Sequence, residues 1–185
     1  MDYGASSYRR FLDGDDEGLA EIVRIYKDGL ILYINSYVNN LYIAEELMEE
    51  TFFKIIIKKP KFSPRHTFKT WLYIISRNVT IDYLRRNTKR NCISINDIDN
   101  YLKDEFNLEK SYISNEQNLI VHNALKKLNS DYRQILWLIY FEDFTNSEVS
   151  VIMKKNSRQI VNLLYRAKSA LKSQLDKEGF IYEEL

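Results

Sequence analysis

FKTWLYIISRNVTIDYLRRNTKR, residues Phe68 to Arg90, joins a deep apolar stripe to the densest positive charge in the chain. At about 100° per residue, Phe68, Trp71, Leu72, Ile75, Val79 and Tyr83 fall on one side of a helix, so that side is expected to be buried against other helices. From Lys54 to Arg90 the bases are Lys54, Lys58, Lys59, Lys61, Arg65, Lys69, Arg77, Arg85, Arg86, Lys89 and Arg90, and Asp82 is the only acid. A solvated helix usually intersperses the two signs. A basic run that also holds Trp71, Tyr73 and Tyr83 suits a nucleic acid, whose bases stack on aromatic rings while its phosphates meet the cations. Asp82 lies on the apolar side by this reading, four residues after Asn78 and four before Arg86, and is expected to make an internal hydrogen bond or ion pair rather than to act as an acid catalyst.

Around this stretch the composition bounds the fold. With 185 residues, 45% of them hydrophobic, the chain can build one medium domain or two small helical ones, and the charge pattern favours two. Five glycines and two prolines are too few for many tight turns, and no alternating apolar pattern of useful length occurs, so an all-α chain is expected. The formal net charge of +1 does not announce a nucleic-acid partner, so the argument rests on segregation of charge. A single cysteine, Cys92, and two distant histidines, His66 and His122, indicate no disulfide framework and no metal site, and no cofactor motif is present. The N-terminus lacks a signal-peptide core, and the apolar run Phe52 to Ile57 is split by Lys54, so a soluble cytoplasmic protein without a membrane span is expected.

On the N-terminal side, Asp15 or Asp16 can cap a helix carrying Leu19, Ile22, Val23, Ile25 and Tyr26, which Gly29 either interrupts or leaves intact. A second helical pattern, Leu30 to Val38, ends near Asn39 and Asn40, residues that tolerate the left-handed conformation. In IAEELMEETFFKIIIKK, the apolar material is Ile43, Leu47, Phe52, Phe53 and Ile56, and Glu45, Glu46, Glu49 and Glu50 make an acidic surface just before the basic run. That surface reads either as a solubility device or as a dock for a basic partner. Pro60 and Pro64 bracket a loop.

On the C-terminal side, residues 91–114 are rich in Asn, Asp, Ser and Glu and read as a flexible linker that lets two modules move independently. Helical spacing resumes near Asn115 with Leu119, Ile120, Ala124, Leu125 and Leu128. Asn129 to Asp131 make a turn and cap, and Tyr132 to Phe141 is strongly apolar. Thr145 with Glu148 forms a capping-box pattern that opens a short helix to Met153. Lys154 to Asn156 turn the chain into a last helix, capped by Asn156 or Ser157, through Leu175. Two helices joined by so short a turn form a helix-turn-helix unit, whose second helix enters the major groove. From Lys154 to Leu175 the chain carries six bases and no acid. Val161, Leu164, Ala167 and Leu171 can face inward, leaving Arg158, Gln159 and Asn162 where base edges are met.

Taken together, these segments resemble the sigma-70 factors of bacterial RNA polymerase, in the compact extracytoplasmic-function type. IAEELMEETF resembles that family's core-polymerase-binding helix, FKTWLYIISRNVTIDYLRR its minus-ten helix, and YRQILWLIYFEDFTNSEVSVIMKKNSRQIVNLLYRAKSALK its minus-thirty-five reader. The resemblance implies that Glu46, Glu49 and Glu50 meet the polymerase clamp, and that Arg77, Asn78, Arg85 and Arg86 lie near the melted minus-ten strand. It also implies that Ser157, Arg158, Gln159, Asn162, Arg166 and Lys168 belong to the recognition helix, and that an anti-sigma factor is a further partner. Lys154, Arg158 and Val161 stand where the family often has Gly, Gly and Lys, so Lys154 must bear a left-handed turn more easily made by glycine.

The expected architecture is therefore two small helical domains, 1–90 and 115–185, joined by the linker 91–114. The expected function is non-enzymatic promoter recognition with core RNA polymerase and promoter DNA as partners. A stand-alone helix-turn-helix regulator and a protein-interaction adaptor are the alternatives from other classes.

Overall fold

The computed structural model describes residues 2–90 and 116–177 together with Phe180, and all regular structure among the described residues is helical. The linker expected over 91–114 lies outside them. In chain order the first unit holds α1 (Tyr3–Leu12), α2 (Asp16–Val38), α3 (Leu41–Lys58) and α4 (Phe68–Arg90). The second holds α5 (Glu116–Lys126), α6 (Ser130–Tyr140), α7 (Asn146–Met153) and α8 (Ser157–Lys177).

The apolar stripe of α4 faces the core as its spacing predicts. Phe68, Leu72 and Val79 are fully buried, and Trp71, Ile75 and Tyr83 pack on them at the edge. Two features were not foreseen. The N-terminal residues form α1, which lays Tyr8 against this stripe, with Phe11 packed beside Tyr8. Asp2 starts both helices of that contact: one carboxylate oxygen accepts the Ala5 N–H (3.1 Å) and the other accepts the Phe68 N–H (2.6 Å). The Tyr8 hydroxyl then donates to the Pro60 carbonyl (2.8 Å), tying α1 to the loop between α3 and α4.

The helix capped by Asp15 does not stop at Gly29. α2 runs unbroken to Val38, so the two expected patterns are one element. A glycine inside a helix costs about 1 kcal/mol relative to alanine, an amount the surrounding burial readily offsets. Leu30, Ile31, Tyr33 and Ile34 are all fully buried, which means that this half of α2 is covered on every side. α3 and α4 pack on α2 within the first unit and α6 packs on it from the second, while α1 lies along its N-terminal half, where Ser7 and Arg10 meet Glu21. Asn39 then closes α2 in the left-handed conformation (φ 51°), and Asn40 caps α3 by accepting the Ile43 N–H (3.0 Å).

In the second unit the caps read from sequence are in place. Asn129 accepts the Tyr132 N–H, and the Thr145 and Glu148 capping box is complete. Lys154 ends α7 with φ 55°, so the left-handed turn is made by lysine. α6 and α7 pack on α8, and they also dock on the first unit, α6 on α2 and α7 on α4. Reading the chain as two separately moving modules did not anticipate this docking.

Glu148 serves both packing surfaces. Its carboxylate accepts from the Thr145 N–H and hydroxyl in its own unit, and from the Thr67 and Thr70 hydroxyls of the first unit (3.3 and 3.0 Å). Partial burial by itself raises this carboxyl, and the hydrogen bonds from Thr145, Thr70 and Thr67 outweigh it, holding it below the ordinary glutamate range. A carboxyl depressed in the folded state contributes stability that is complete above its unfolded pKa, about 4.3, and is lost as pH falls through the lower folded value. Glu148→Gln is therefore expected to unfold at lower urea than the parent at pH 7, and the gap between the two midpoints should close as the pH drops below about 4.

Candidate functional sites

Three surfaces carry the residues singled out by sequence. On α3, Glu46 and Glu49 are exposed and Glu50 is half-buried, where it pairs with Lys54 (3.0 Å) and with Arg86 of α4 (3.7 Å). Phe53 and Ile57 follow on the same face at helical spacing and stand 62% and 65% exposed. The apolar material of this segment is divided between two faces: Leu47 and Phe52 fill the core, while Phe53 and Ile56 line an open groove with Val23, Lys27, Met48 and the three glutamates. The sequence signal was available, since Phe53 lies three or four residues from Glu49 and Glu50, the spacing that shares a face. An apolar strip rimmed by carboxylates fits a partner helix that is apolar along its centre and basic at its edges.

The four residues picked out on α4 do not form one patch. Arg85 and Arg86 are exposed at its C-terminal half. Arg77 is half-buried beside the buried hydroxyl pair Tyr33 and Tyr37 (2.7 Å apart). Asn78 is exposed, and its side-chain oxygen accepts from Lys154 Nζ of the helix-helix turn (3.1 Å). Asp82 is exposed rather than on the apolar side, with its carboxylate 4.0 Å from Arg85 and its backbone carbonyl accepting from Arg86. The aromatic residues are corrected as well. Tyr73 is fully buried and cannot stack on a base, and Trp71 sits in a ring cluster with Tyr8, Phe62 and Phe68 at 5.2 to 5.6 Å. Burial pushes the Tyr73 hydroxyl well above its ordinary pKa, and the nearby Glu142 adds to that shift.

On α8, Ser157, Arg158, Gln159, Asn162, Arg166 and Lys168 are all exposed. Asn156 accepts the Gln159 N–H, and the Gln159 side-chain oxygen accepts the Asn156 N–H, both at 2.9 Å, so Gln159 presents its amide nitrogen while its oxygen holds the helix start. Lys168 Nζ lies 5.4 Å from the centre of the Tyr140 ring, a cation-π distance. Ile160 and Ala167 face inward, whereas Val161, expected to do so, is 54% exposed, and Tyr165 is 76% exposed beside it. Arg158, Val161, Asn162 and Tyr165 thus share the outer face of α8. Apolar and aromatic groups there can meet thymine methyl groups, while arginine and asparagine read guanine and adenine.

Comparison with known proteins places these surfaces in context. Residues 22–90 match the family described as Sigma-70 region 2, and residues 118–171 match Sigma-70, region 4. The RNA polymerase sigma factor SigV of Bacillus subtilis is 31% identical over 143 residues, covering 77% of this chain and 82% of SigV. The ECF RNA polymerase sigma factor SigW of the same organism is 25% identical over 170 residues, covering 88% and 91%. Among solved structures, CnrH in complex with the cytosolic domain of CnrY superposes with a TM-score of 0.64 at 15% identity, covering 95% of this chain and 96% of that one. The sigma factor RpoE bound to the anti-sigma factor NepR from Bartonella quintana gives 0.65 at 20% identity, covering 85% and 96%. At these identities the two structures bear on the fold alone. Among the described residues no helix is long and apolar enough to cross a membrane.

The division of α3 into a core face and an open face has a direct test. Phe53→Ala should change unfolding free energy by no more than about 0.5 kcal/mol, as expected of a side chain that is mostly in solvent. Leu47→Ala, on the buried face of the same helix, should cost about 2 to 5 kcal/mol. Equal losses measured by urea denaturation would mean that Phe53 is packed.

Proposed function

The chain belongs to the sigma-70 family of RNA polymerase sigma factors, as a member of the extracytoplasmic-function type, and from that premise we propose how its surfaces divide the work of promoter recognition. It is an alternative sigma factor that directs core polymerase to promoters. The first unit, residues 1–90, binds core polymerase through the open face of α3, where Glu46, Glu49 and Glu50 flank Phe53 and Ile57. It captures unstacked bases of the minus-ten strand along the basic side of α4, with Arg85 and Arg86 on phosphates and Arg77 and Asn78 nearer the bases. Capture of this kind offsets the few kcal/mol that extruding a base costs.

The second unit, residues 115–185, docks α8 in the major groove of the upstream hexamer. Arg158, Gln159 and Asn162 read base edges, and Ser157, Arg166 and Lys168 hold phosphates, which sets the register of the reading helix. The chain is not an enzyme in this account; RNA synthesis belongs to the polymerase, and the site of action is the cytoplasm. Because RpoE is seen bound by an anti-sigma factor, a protein antagonist of the same kind is the regulatory partner we assign to this chain.

The observation that carries this reading is the open face of α3, where acids and exposed apolar side chains adjoin on a helix whose other side is core. Reversing Glu46, Glu49 and Glu50 to lysine should leave helicity intact, because Glu46 and Glu49 are exposed and the pairs of Glu50 with Lys54 and Arg86 are partly open to solvent, and should weaken association with core polymerase. Unchanged affinity for core would reduce that face to a solubility device. Run-off transcription with core enzyme is the test of the function as a whole, and duplex binding without core-dependent transcription would favour a stand-alone regulator.

The readout of α8 is tested separately. Arg158→Ala or Asn162→Ala should relax specificity at one base pair and cost about 1 to 3 kcal/mol, whereas Lys168→Ala should weaken all sequences alike and lower the salt slope. A uniform loss from every substitution would count against direct reading of bases.

A further inference from the structure

The roles assigned above leave one built contact unused. Glu142, in the turn between α6 and α7, reaches across to the first unit and sits between α2 and α4. Lys69 Nζ lies 2.9 Å from its carboxylate and donates to its backbone carbonyl at 2.6 Å, and the Glu142 side chain is only 11% exposed. The floor of the slot is Gly29: a Cβ there would come within 2.5 Å of the Glu142 carboxylate and 2.8 Å of the Tyr73 hydroxyl. The glycine in the middle of α2 is thus the space that Glu142 occupies. Phe144 closes the same corner by packing edge-on to Tyr73 at 5.0 Å.

The slot is one of several contacts between the second unit and α4 with the loop before it. Glu148 accepts from Thr67 and Thr70, and Lys154 donates to Asn78. On the far side of α2, Arg133 donates to the Ser36 carbonyl (3.0 Å) and to the Asn39 side chain (3.3 Å). In this arrangement the turn that leads into the recognition helix is hydrogen-bonded to a residue proposed to meet the minus-ten strand.

The two promoter elements are about 25 base pairs apart by their names, which at 3.4 Å per base pair is about 85 Å. Lys154, in the turn that leads into α8, donates to Asn78 of α4 at 3.1 Å, so a docked chain holds the start of α8 against α4 and cannot lie on both elements at once. The chain from 91 to 115, at roughly 3.4 Å per residue, can reach on the order of 85 Å when drawn out, which makes separation possible. Meanwhile Phe53 and Ile57 remain exposed in the docked form, so the polymerase-facing side of α3 is accessible before the units part.

We propose that Glu142, seated in the slot formed by Gly29, Lys69 and Tyr73, is an intramolecular latch that holds the free chain closed, and that the chain must unlatch to span a promoter. Core polymerase engages α3 of the closed chain first, and opening follows. Which state is active rests on the function proposed above; the closure itself does not.

The test uses the full chain. Glu142→Lys sets two ammonium groups against each other and should open the units, the pair Lys69→Glu with Glu142→Lys should close them again, and Gly29→Ala should open them by filling the slot. Small-angle X-ray scattering should give the parent and the charge-swapped pair a radius of gyration near the compact value of about 16 Å, and the two opened variants a value several Å larger at unchanged helicity. If the closed form holds about 90% of the free chain, the opened variants should bind a single-stranded minus-ten oligonucleotide about tenfold more tightly and transcribe better at limiting concentration. An unchanged radius for Glu142→Lys and Gly29→Ala overturns the latch, and opening without any gain in oligonucleotide binding overturns the claim that closure restrains promoter binding. A parent chain inactive with core polymerase on every promoter fragment would instead overturn the functional reading, while scattering by the charge-swapped pair would still decide whether the latch exists.

Discussion

Burial of α4 from two directions is the constraint on which the rest of the structure depends. Phe68, Leu72 and Val79 point into a core built by α1, α2 and α3, while Tyr73 packs on Tyr33 of α2 and on Phe144 of the second unit. Thr70 and Ser76, both fully buried, lie on further parts of its circumference. A helix held this way has little surface left for a ligand, which confines its accessible cations largely to the C-terminal half, where Arg85 and Arg86 stand out. Thr70 is tolerated on the second buried side because its hydroxyl donates to Glu148, whereas the Ser76 hydroxyl is buried without a hydrogen-bond partner among the described residues.

The segregation of charge along the chain has consequences within the molecule as well as for its partners. Basic α4 and its approach meet acids at several points: Arg86 faces Glu50, Lys69 holds Glu142, and Thr67 and Thr70 present donors to Glu148. The exposed pairs contribute little to stability and are screened by salt. Lys69 and Glu142 differ because the carboxylate is nearly enclosed, so each group would leave the other poorly compensated if removed alone. A contact of that kind gives specificity to the docking of one unit on the other. It also gives Gly29 a purpose that neither a helix nor a turn requires.

The opposite character belongs to the outer faces of α3 and α8. On α3 the exposed Phe53 and Ile57 stand beside Glu46 and Glu49, and on α8 the exposed Val161 and Tyr165 stand among Arg158, Asn162 and Arg166. Each combines apolar area with a single sign of charge. Those are the properties that let a surface bury contact area and choose the charge of what it meets. Both faces lie on helices whose inner sides are tightly packed, so the contact groups sit on rigid supports.

Local chemistry made much of this legible in the sequence. Helix type followed from the spacing of apolar residues, and several breaks from caps that act within three or four residues: Asp15, Asn129 and the Thr145 and Glu148 box each satisfy free N–H groups at a helix start. The family resemblance was carried by ordered motifs, and so was the place of Arg158, Asn162, Arg166 and Lys168 on one helix, although its inward face was read from Val161, Leu164, Ala167 and Leu171 and Ile160 takes the place given to Val161. What the tertiary structure alone decided was which of several apolar or aromatic residues became core. Tyr73 was buried by a partner 71 residues away, Val161 and Phe53 were left in solvent because other residues filled the available space, and Arg77 and Asn78 were engaged from inside the molecule. Periodicity reports one buried side of a helix; it carries no information about a second side, because that burial depends on a segment whose approach is set by distance in space rather than in sequence.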